Sequence, residues 1–455
     1  MKANRNGRTR TWCVGLALLG LASCEGGAPV SPTDGLGAQS AAHAQSLMSA
    51  STRLEFERLD VMTGMSHQSI HEVRYAPDGA LILALSTLDD AVFLGTAVPH
   101  VGSGTTSAIA KVRTDNTLAW KTLLHGAVIE AMAVGDEGET WVGGRLEQAT
   151  SLQGISLQVG HFLAKVTSTG GIAWARNTRP PPGKELLFIS MARAPGNRFA
   201  ATLVTAGDGP AILVSYRSSD GEEEWSRVLN QTPGSGLAAT SVTVDTFGQI
   251  YIAGYYTGSA RIPGLATVLQ RNGTAPFAAS FTPEGGARWL REVDERGVGL
   301  SIDNRDGHLA VGYSNHVASL DLAGNIRWRR ELGQLAEGPW GNRVAFGPSG
   351  ELLVSGGRYT ETTLGPNLTY STGPLQTVLK FSRVSGYLSA TYLQQPVLGN
   401  NGFPLGHEVV QRAMAVNQST GQVVVVGQMG SSSDFGSGPV QVNSPTDGFL
   451  LTLGQ

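Results

Sequence analysis

Cysteine is nearly missing from this sequence: Cys13 and Cys24 are the two in 455 residues. Both fall within the first 24 positions, so no disulfide can staple the rest of the chain, and its stability must come from a packed core. Charge is sparse, with 15% charged residues and a formal net charge of −3. Such a balance makes nucleic acid and anionic headgroups poor partners. The apolar run Val14 to Ala22 falls short of the about 20 residues that cross a bilayer as a helix. Local catalytic signatures are missing too: there is no Gly-x-Ser-x-Gly elbow, no Ser-x-x-Lys and no phosphate-cradling GxxxxGK.

The first of the features that are present is a leader. Lys2, Arg5, Arg8 and Arg10 precede the apolar run without an acid among them, which is the layout of a secretory signal. The run ends in Leu21-Ala22-Ser23-Cys24. This resembles the lipobox of bacterial exported lipoproteins, in which the cysteine thiol receives diacylglycerol, palmitate is a further acyl group, and the peptide before the cysteine is removed. The resemblance assigns residues 1–23 to a signal peptide and Cys24 to lipid attachment, and Cys13 is lost with the leader. Cleavage there removes four cations and no acid, so 29 basic residues face 36 acidic ones and the charge moves from −3 to −7. Residues 24–52 are small and polar, a flexible tether able to span roughly 30 Å.

The third feature is glycine, 60 residues of it, arranged in repeats. A short apolar segment, a turn with glycine and a second apolar strand recur seven times, with turn glycines Gly79, Gly138, Gly196, Gly248, Gly307, Gly350 and Gly421. Each copy reads as a β-hairpin, because glycine supplies the positive φ of a tight turn. Interleaved is a second motif in which a strand and a turn lead to tryptophan, as in FLAKVTSTGGIAW and VASLDLAGNIRW. It places Trp120, Trp174, Trp225, Trp289 and Trp328 in one structural role, packing between adjacent sheets, with Ser389 read as the residue in a sixth copy. One unit is therefore four strands, the content of a propeller blade. The last unit runs out of chain at GFLLTLG, 448–454, while LEFERLD, 54–60, precedes the first hairpin without partners. Pairing the two closes the ring and hides the edges. The expected fold is all-β, a seven-bladed β-propeller of four-stranded antiparallel blades over residues 53–455, closed by an N-terminal strand in the last blade.

These units resemble bacterial seven-bladed propeller repeats, in which a strand, x-D-x-x-G, a strand ending in Ala-Gly, a Phe-Gly loop and Gly-x-x-x-Trp follow one another. VTVDTFGQIYIAGYY and the Asp434-Phe435-Gly436 loop match best. A more distant likeness joins them to the repeats of quinoprotein dehydrogenases and of an outer-membrane assembly lipoprotein whose blades form a scaffold. The adjacent cysteine pair of many quinoproteins is missing here, so no cofactor is expected. Resemblance of this kind speaks to architecture rather than activity.

Turn lengths point to one face. The connections between first and second strands and between third and fourth are uniformly tight. Those between second and third strands are long in units one, two, four, six and seven, and nearly absent in units three and five, around Gly207-Pro210 and Ser314-His316. Long irregular loops on a rigid scaffold are where binding usually resides, so a protein partner is expected on this face, with Arg179, Lys184, Tyr392 and Phe403 as unranked candidates. Leu94-Gly95, Leu364-Gly365 and Phe435-Gly436 read as packing elements of the same loops. No metal site is expected: His67 and His71 enter a strand without an HExxH pattern, and Asp303-Asn304-Arg305-Asp306-Gly307 is a hairpin turn lacking the ligands of a calcium loop. The functional expectation is a monomeric, non-enzymatic scaffold for protein or peptide partners in the cell envelope, exported and lipid-anchored at the outer membrane rather than the inner one. A carbohydrate- or envelope-polymer-binding propeller, and a hydrolase or lyase with its site at the channel mouth, are the alternatives.

Overall fold

The glycine turns form as the spacing predicts, and Gly79, Gly248, Gly350 and Gly421 all adopt φ 79°. In the first, the Gly79 amide donates to the Ala76 carbonyl at 2.9 Å and the Ala76 amide to Ala80 at 2.8 Å. The computed structural model describes residues 54–454 apart from 179–185, 206–210, 231–235, 315, 336–341, 366–367, 394–396, 399–403, 406–408, 431 and 443. Its regular structure is all strand.

Seven antiparallel sheets follow one another around a ring. Their innermost strands are Gln68–Tyr75, Ala127–Val134, Leu186–Ala194, Gly236–Val244, Gly299–Arg305, Arg343–Phe346 and Val409–Val416, defining blades 1 to 7. Each contacts the inner strand of the next blade, and that of blade 7 contacts that of blade 1. Closure occurs as the unpartnered N-terminal segment implied: Glu55–Met62 is the outer strand of blade 7 and pairs with Asp447–Gly454, from Glu55 opposite Gly454 to Met62 opposite Gly448. Blade 6 is broader than expected, because Gly333–Leu335 adds a pairing to the far end of its second strand, Leu352–Gly365.

The tryptophans lock blade to blade. Each lies on the outer strand of one blade against the third-to-fourth turn of the next, and its indole N–H donates to a backbone carbonyl there: Trp120 to Ser168 at 2.9 Å, Trp225 to Pro283 at 3.0 Å, Trp328 to Arg383 at 2.8 Å. Trp174 and Trp289 do the same to Ser218 and Leu322. The turn glycine sits flat on the ring. A Cβ on Gly170 would lie 2.8 Å from Trp120, and one on Gly386 2.7 Å from Trp328. These glycines are therefore fixed by the indole as well as by their positive φ. The residue two places on adds a second tie, as when Arg330 Nε donates to Gly386 O at 2.8 Å with its guanidinium 5.9 Å from the Trp328 ring centre.

The register corrects one reading. Opposite Lys380, where other blades carry tryptophan opposite the equivalent residue, stands Ala390 and not Ser389. The reason lies in the next blade: blade 7 takes its outer strand from the N-terminus, so it has no third-to-fourth turn for an indole to clasp. At the following junction the turn exists but the tryptophan position is Arg58, opposite Thr452 and paired with Asp60 at 2.5 Å. That turn carries Asn116 at φ 68° in place of glycine. A cavity of about 340 Å³ lies in this seam, lined by Glu57, Tyr75, Arg113, Asn116 and Gln422 among others.

The long loops are hairpins rather than irregular segments. Ala91–Phe93 pairs with Thr96–Val98 in blade 1, Thr150–Leu152 with Ile155–Leu157 in blade 2, and Ser433–Asp434 with Pro439–Val440 in blade 7. They bury Phe93, Leu152, Leu157 and Phe435 in the blade cores, and Leu94 packs against the first of these. Packing, not recognition, explains the apolar-Gly elements Leu94-Gly95 and Phe435-Gly436.

Candidate functional site

Inner strands of a propeller are edge strands, and their free backbone groups face the channel. In six of the seven blades the inner strand carries an extra residue, which re-aims a side chain and interrupts pairing. These residues are His71, Glu130, Ile189, Thr240, Leu300 and Arg412. From blade 3 to blade 6, the serine after the bulge accepts an amide of the next inner strand: Val242 N donates to Ser190 Oγ at 3.2 Å, Ile302 N to Ser241 Oγ at 3.2 Å, and Val344 N to Ser301 Oγ at 3.1 Å. Here the amides of the channel edge are met by neutral hydroxyls.

Blades 6, 7 and 1 build the wall from charge. Arg343 stands where blades 3 to 5 carry serine, and its Nε donates to Arg412 O at 2.8 Å while Nη1 donates to Leu300 O at 3.1 Å. One guanidinium thus caps carbonyls on both adjacent blades. Arg412 Nη2 reaches Gln428 Oε1 at 3.4 Å, and its buried Nε finds no acceptor among the described residues. Arg74 pairs with Glu72 at 2.8 Å. Burial pushes the Arg343 and Arg412 guanidiniums below their usual range; Glu72 opposes this at Arg343 while Arg74 adds to it, and Arg343 adds to it at Arg412. His71, bonded through Nε2 to Ser86 Oγ at 2.5 Å, is pushed down to about 4 by burial and then by Arg412. On the adjoining inner strand of blade 5, burial lifts Asp303 to about 6 although the amides of Phe346 and Asn304 donate to it.

The hairpin face has its own feature. Where blade 7 meets blade 1, Thr63 bridges Val92, the Leu88 amide donates to His67 O at 3.2 Å, and the Met65 amide donates to Asp89 Oδ2 at 2.5 Å. These ties gather Met65, 88% exposed, Val92, 46%, and Leu88, 44%, into one apolar surface. The chain enters the propeller on the opposite side. Glu55 lies beside Gly454, and Glu57 Oε2 accepts from Gln422 Nε2 at 2.6 Å next to a tight turn of blade 7.

Of the residues singled out from sequence, Tyr392 is buried and donates to Phe435 O at 2.6 Å, so it holds a hairpin in place and is not available for binding. Cys24, Arg179, Lys184 and Phe403 lie outside the described residues. His67 and His71 do not converge: the first faces Thr446 Oγ1 at 3.1 Å and the second Ser86. Asp303–Gly307 ends a strand in a two-residue turn, Arg305 opposite His308. Sequence reasoning missed the arginine wall. The one available signal was arginine in RVAFGPSG, QRAMAVNQSTG and HEVRYAPDG at places where the other repeats carry small, apolar or acidic residues.

No family model matches the chain, and no curated protein sequence does. Among solved structures it is similar to the Dos1 propeller, at 10% identity and TM-score 0.48, over 88% of this chain and 95% of that one. It is also similar to a catalytically inactive virginiamycin B lyase from Staphylococcus aureus with quinupristin, at 10% identity and TM-score 0.45, over 87% and 99%. A protein of unknown function from Bacteroides caccae matches at 13% identity and TM-score 0.36, over 63% and 94%. The assignment as a seven-bladed propeller rests on this chain's own sheet order and ring closure.

Proposed function

We propose that the protein is an exported lipoprotein, anchored through Cys24 at the outer membrane, whose propeller is a non-enzymatic scaffold for a protein partner on the hairpin face. The observation that carries this reading is the apolar surface of Met65, Leu88 and Val92 on that face, since contiguous exposed apolar patches mark sites of association. Chain polarity supports it. The segment before residue 54 joins the body at the tight-turn face, so a body hung from Cys24 turns its hairpins away from the membrane.

The alternatives call for other surroundings. Sugar binding would use exposed coplanar aromatics, but among the described residues the exposed aromatics are Phe247 and Tyr387, in tight turns of blades 4 and 6. A hydrolase or lyase would need an acid and a histidine free to act at the channel, where Glu72 is paired with Arg74 and His71 is bonded to Ser86.

Two experiments test the proposal. Cys24→Ser is expected to release the protein from the membrane fraction and to stop processing before residue 24; retained partitioning with unchanged processing overturns the anchor. A photocrosslinker at Met65 in intact envelopes is expected to trap a defined protein that one at Phe247, 80% exposed on the other face, does not. Equal capture from both positions, or none from Met65, overturns the docking face.

A further inference from the structure

We infer that the arginine wall of the central channel, formed by Arg74, Arg343 and Arg412, is a binding site for a carboxylate. This does not depend on the lipid anchor or on the hairpin-face partner. Three neighbouring inner strands bring these cations together from both ends of the chain. The acids on the surrounding inner strands are Glu72, 2.8 Å from Arg74 and acting also on Arg343, Asp303, whose carboxylate accepts the backbone amides of Phe346 and Asn304 at 2.8 Å each, and Glu130, which accepts the Phe188 amide at 3.0 Å and lies 3.9 Å from Arg145. His71 contributes no charge near neutrality, and its Nε2 is engaged with Ser86. Among the described residues no carboxylate pairs with Arg343 or Arg412, and a half-buried guanidinium without a paired acid is costly.

Their geometry leaves donors to spare. Arg343 uses Nε and Nη1 on the carbonyls of Arg412 and Leu300, and Arg412 has a single long contact to Gln428. A guanidinium offers five N–H groups in a planar fork that suits a carboxylate. Blades 3 to 5, where Ser190, Ser241 and Ser301 accept the amides, show that the fold closes its channel edge without arginine. Ring closure therefore does not by itself call for three cations at this place.

The carboxylate can come from a free organic acid or from a peptide C-terminus, and calorimetry on the chain lacking residues 1–23, with Cys24 replaced by Ser, separates them. The probes are succinate, acetyl-Ala-Ala with a free C-terminus, and its C-terminal amide. Saturable binding of succinate or of the free-acid peptide, with the amide silent, is expected, and the tighter of the two names the source. Arg412→Gln should weaken binding at least tenfold, while Arg412→Lys, which keeps the charge, should retain most of it. Binding should tighten as pH falls from 7.5 to 5.5, because Asp303 takes a proton and stops competing for the arginines. Asp303→Asn, which alters the adjoining blade 5 strand and spares all three arginines, should bind more tightly at pH 7.5 and lose that pH dependence. No saturable binding by either acid, equal binding of the amide, or unchanged affinity in both Arg412→Gln and Asp303→Asn would overturn the site.

Discussion

Blades 2 to 5 and the three blades around the closure, 6, 7 and 1, use one repeat but are joined by different chemistry. In the first group every junction is clasped by an indole lying on a glycine turn, as Trp174 lies on Gly221, Trp225 on Gly285 and Trp289 on Gly324, and blades 3 to 5 hand serine hydroxyls to the amides of the next inner strand. At the two junctions of blade 7 Ala390 and Arg58 stand in the tryptophan register, Asn116 replaces the glycine, and the channel wall is charged. The difference teaches that closing a ring with a strand from the other terminus removes one turn, and with it the reason for one tryptophan. Relaxed packing at that place leaves a cavity at the rim of the seam and lets polar groups gather at the channel.

The comparison can be broken most forcefully at Trp289, which is buried and whose Nε1 donates to Leu322 O at 2.9 Å. Trp289→Ala is expected to cost about 3–5 kcal/mol in thermal or urea unfolding, as for other large aromatics removed from cores. A cost below about 1 kcal/mol would show that the clasp is ornamental.

The turn residues give a sharper contrast. Gly324→Ala meets both a φ of 84° and a Cβ position 2.9 Å from the Trp289 ring, whereas Asn116 already carries a Cβ at φ 68° with no indole above it. Gly324→Ala should cost about 3 kcal/mol and Asn116→Ala about 1 kcal/mol, the excess being the clash with the ring. Equal costs would mean that backbone conformation alone selects glycine at the clasped junctions.

Smallest in effect, and most specific to the charged wall, is the pH response. His71 titrates at about 4 in the fold and near its ordinary 6.5 when unfolded, so the unfolded chain binds more protons between these values. Its contribution to stability is complete above pH 6.5 and is lost as pH falls toward 4. Asp303 acts in the other direction: raised to about 6, it makes the fold less stable as pH rises from about 4 to 6. In urea titrations at pH 7 and 4.5, His71→Gln should lose less stability on acidification than the parent, and Asp303→Asn more. Parallel responses in all three proteins would remove both groups from the linkage.

Much of the architecture was legible in residues. A glycine with a positive φ between alternating apolar segments has few alternatives to a hairpin, so seven such turns gave the blade count, and LEFERLD without a partner gave the closure. Tryptophan was legible as an inter-blade residue, but its one-residue misplacement in blade 6 was not avoidable from spacing, since the outer-strand bulge that sets the register is a property of the paired sheet. The loops were legible only as long. Whether they were irregular or hairpins depended on what Phe93, Leu152 and Phe435 could bury against, and Tyr392, read as a binding candidate, found a core to occupy.

The sequence by itself determined the sheet class, the number of blades and the strand that closes the ring, because each follows from local backbone preference or from a pattern repeated along the chain. Only the tertiary structure decided that Arg74, Arg343 and Arg412 share one wall, that Met65, Leu88 and Val92 share one surface, and that the chain enters on the face opposite the hairpins. Those are consequences of bending seven sheets into a circle, which places residues of the first blade beside residues of the last.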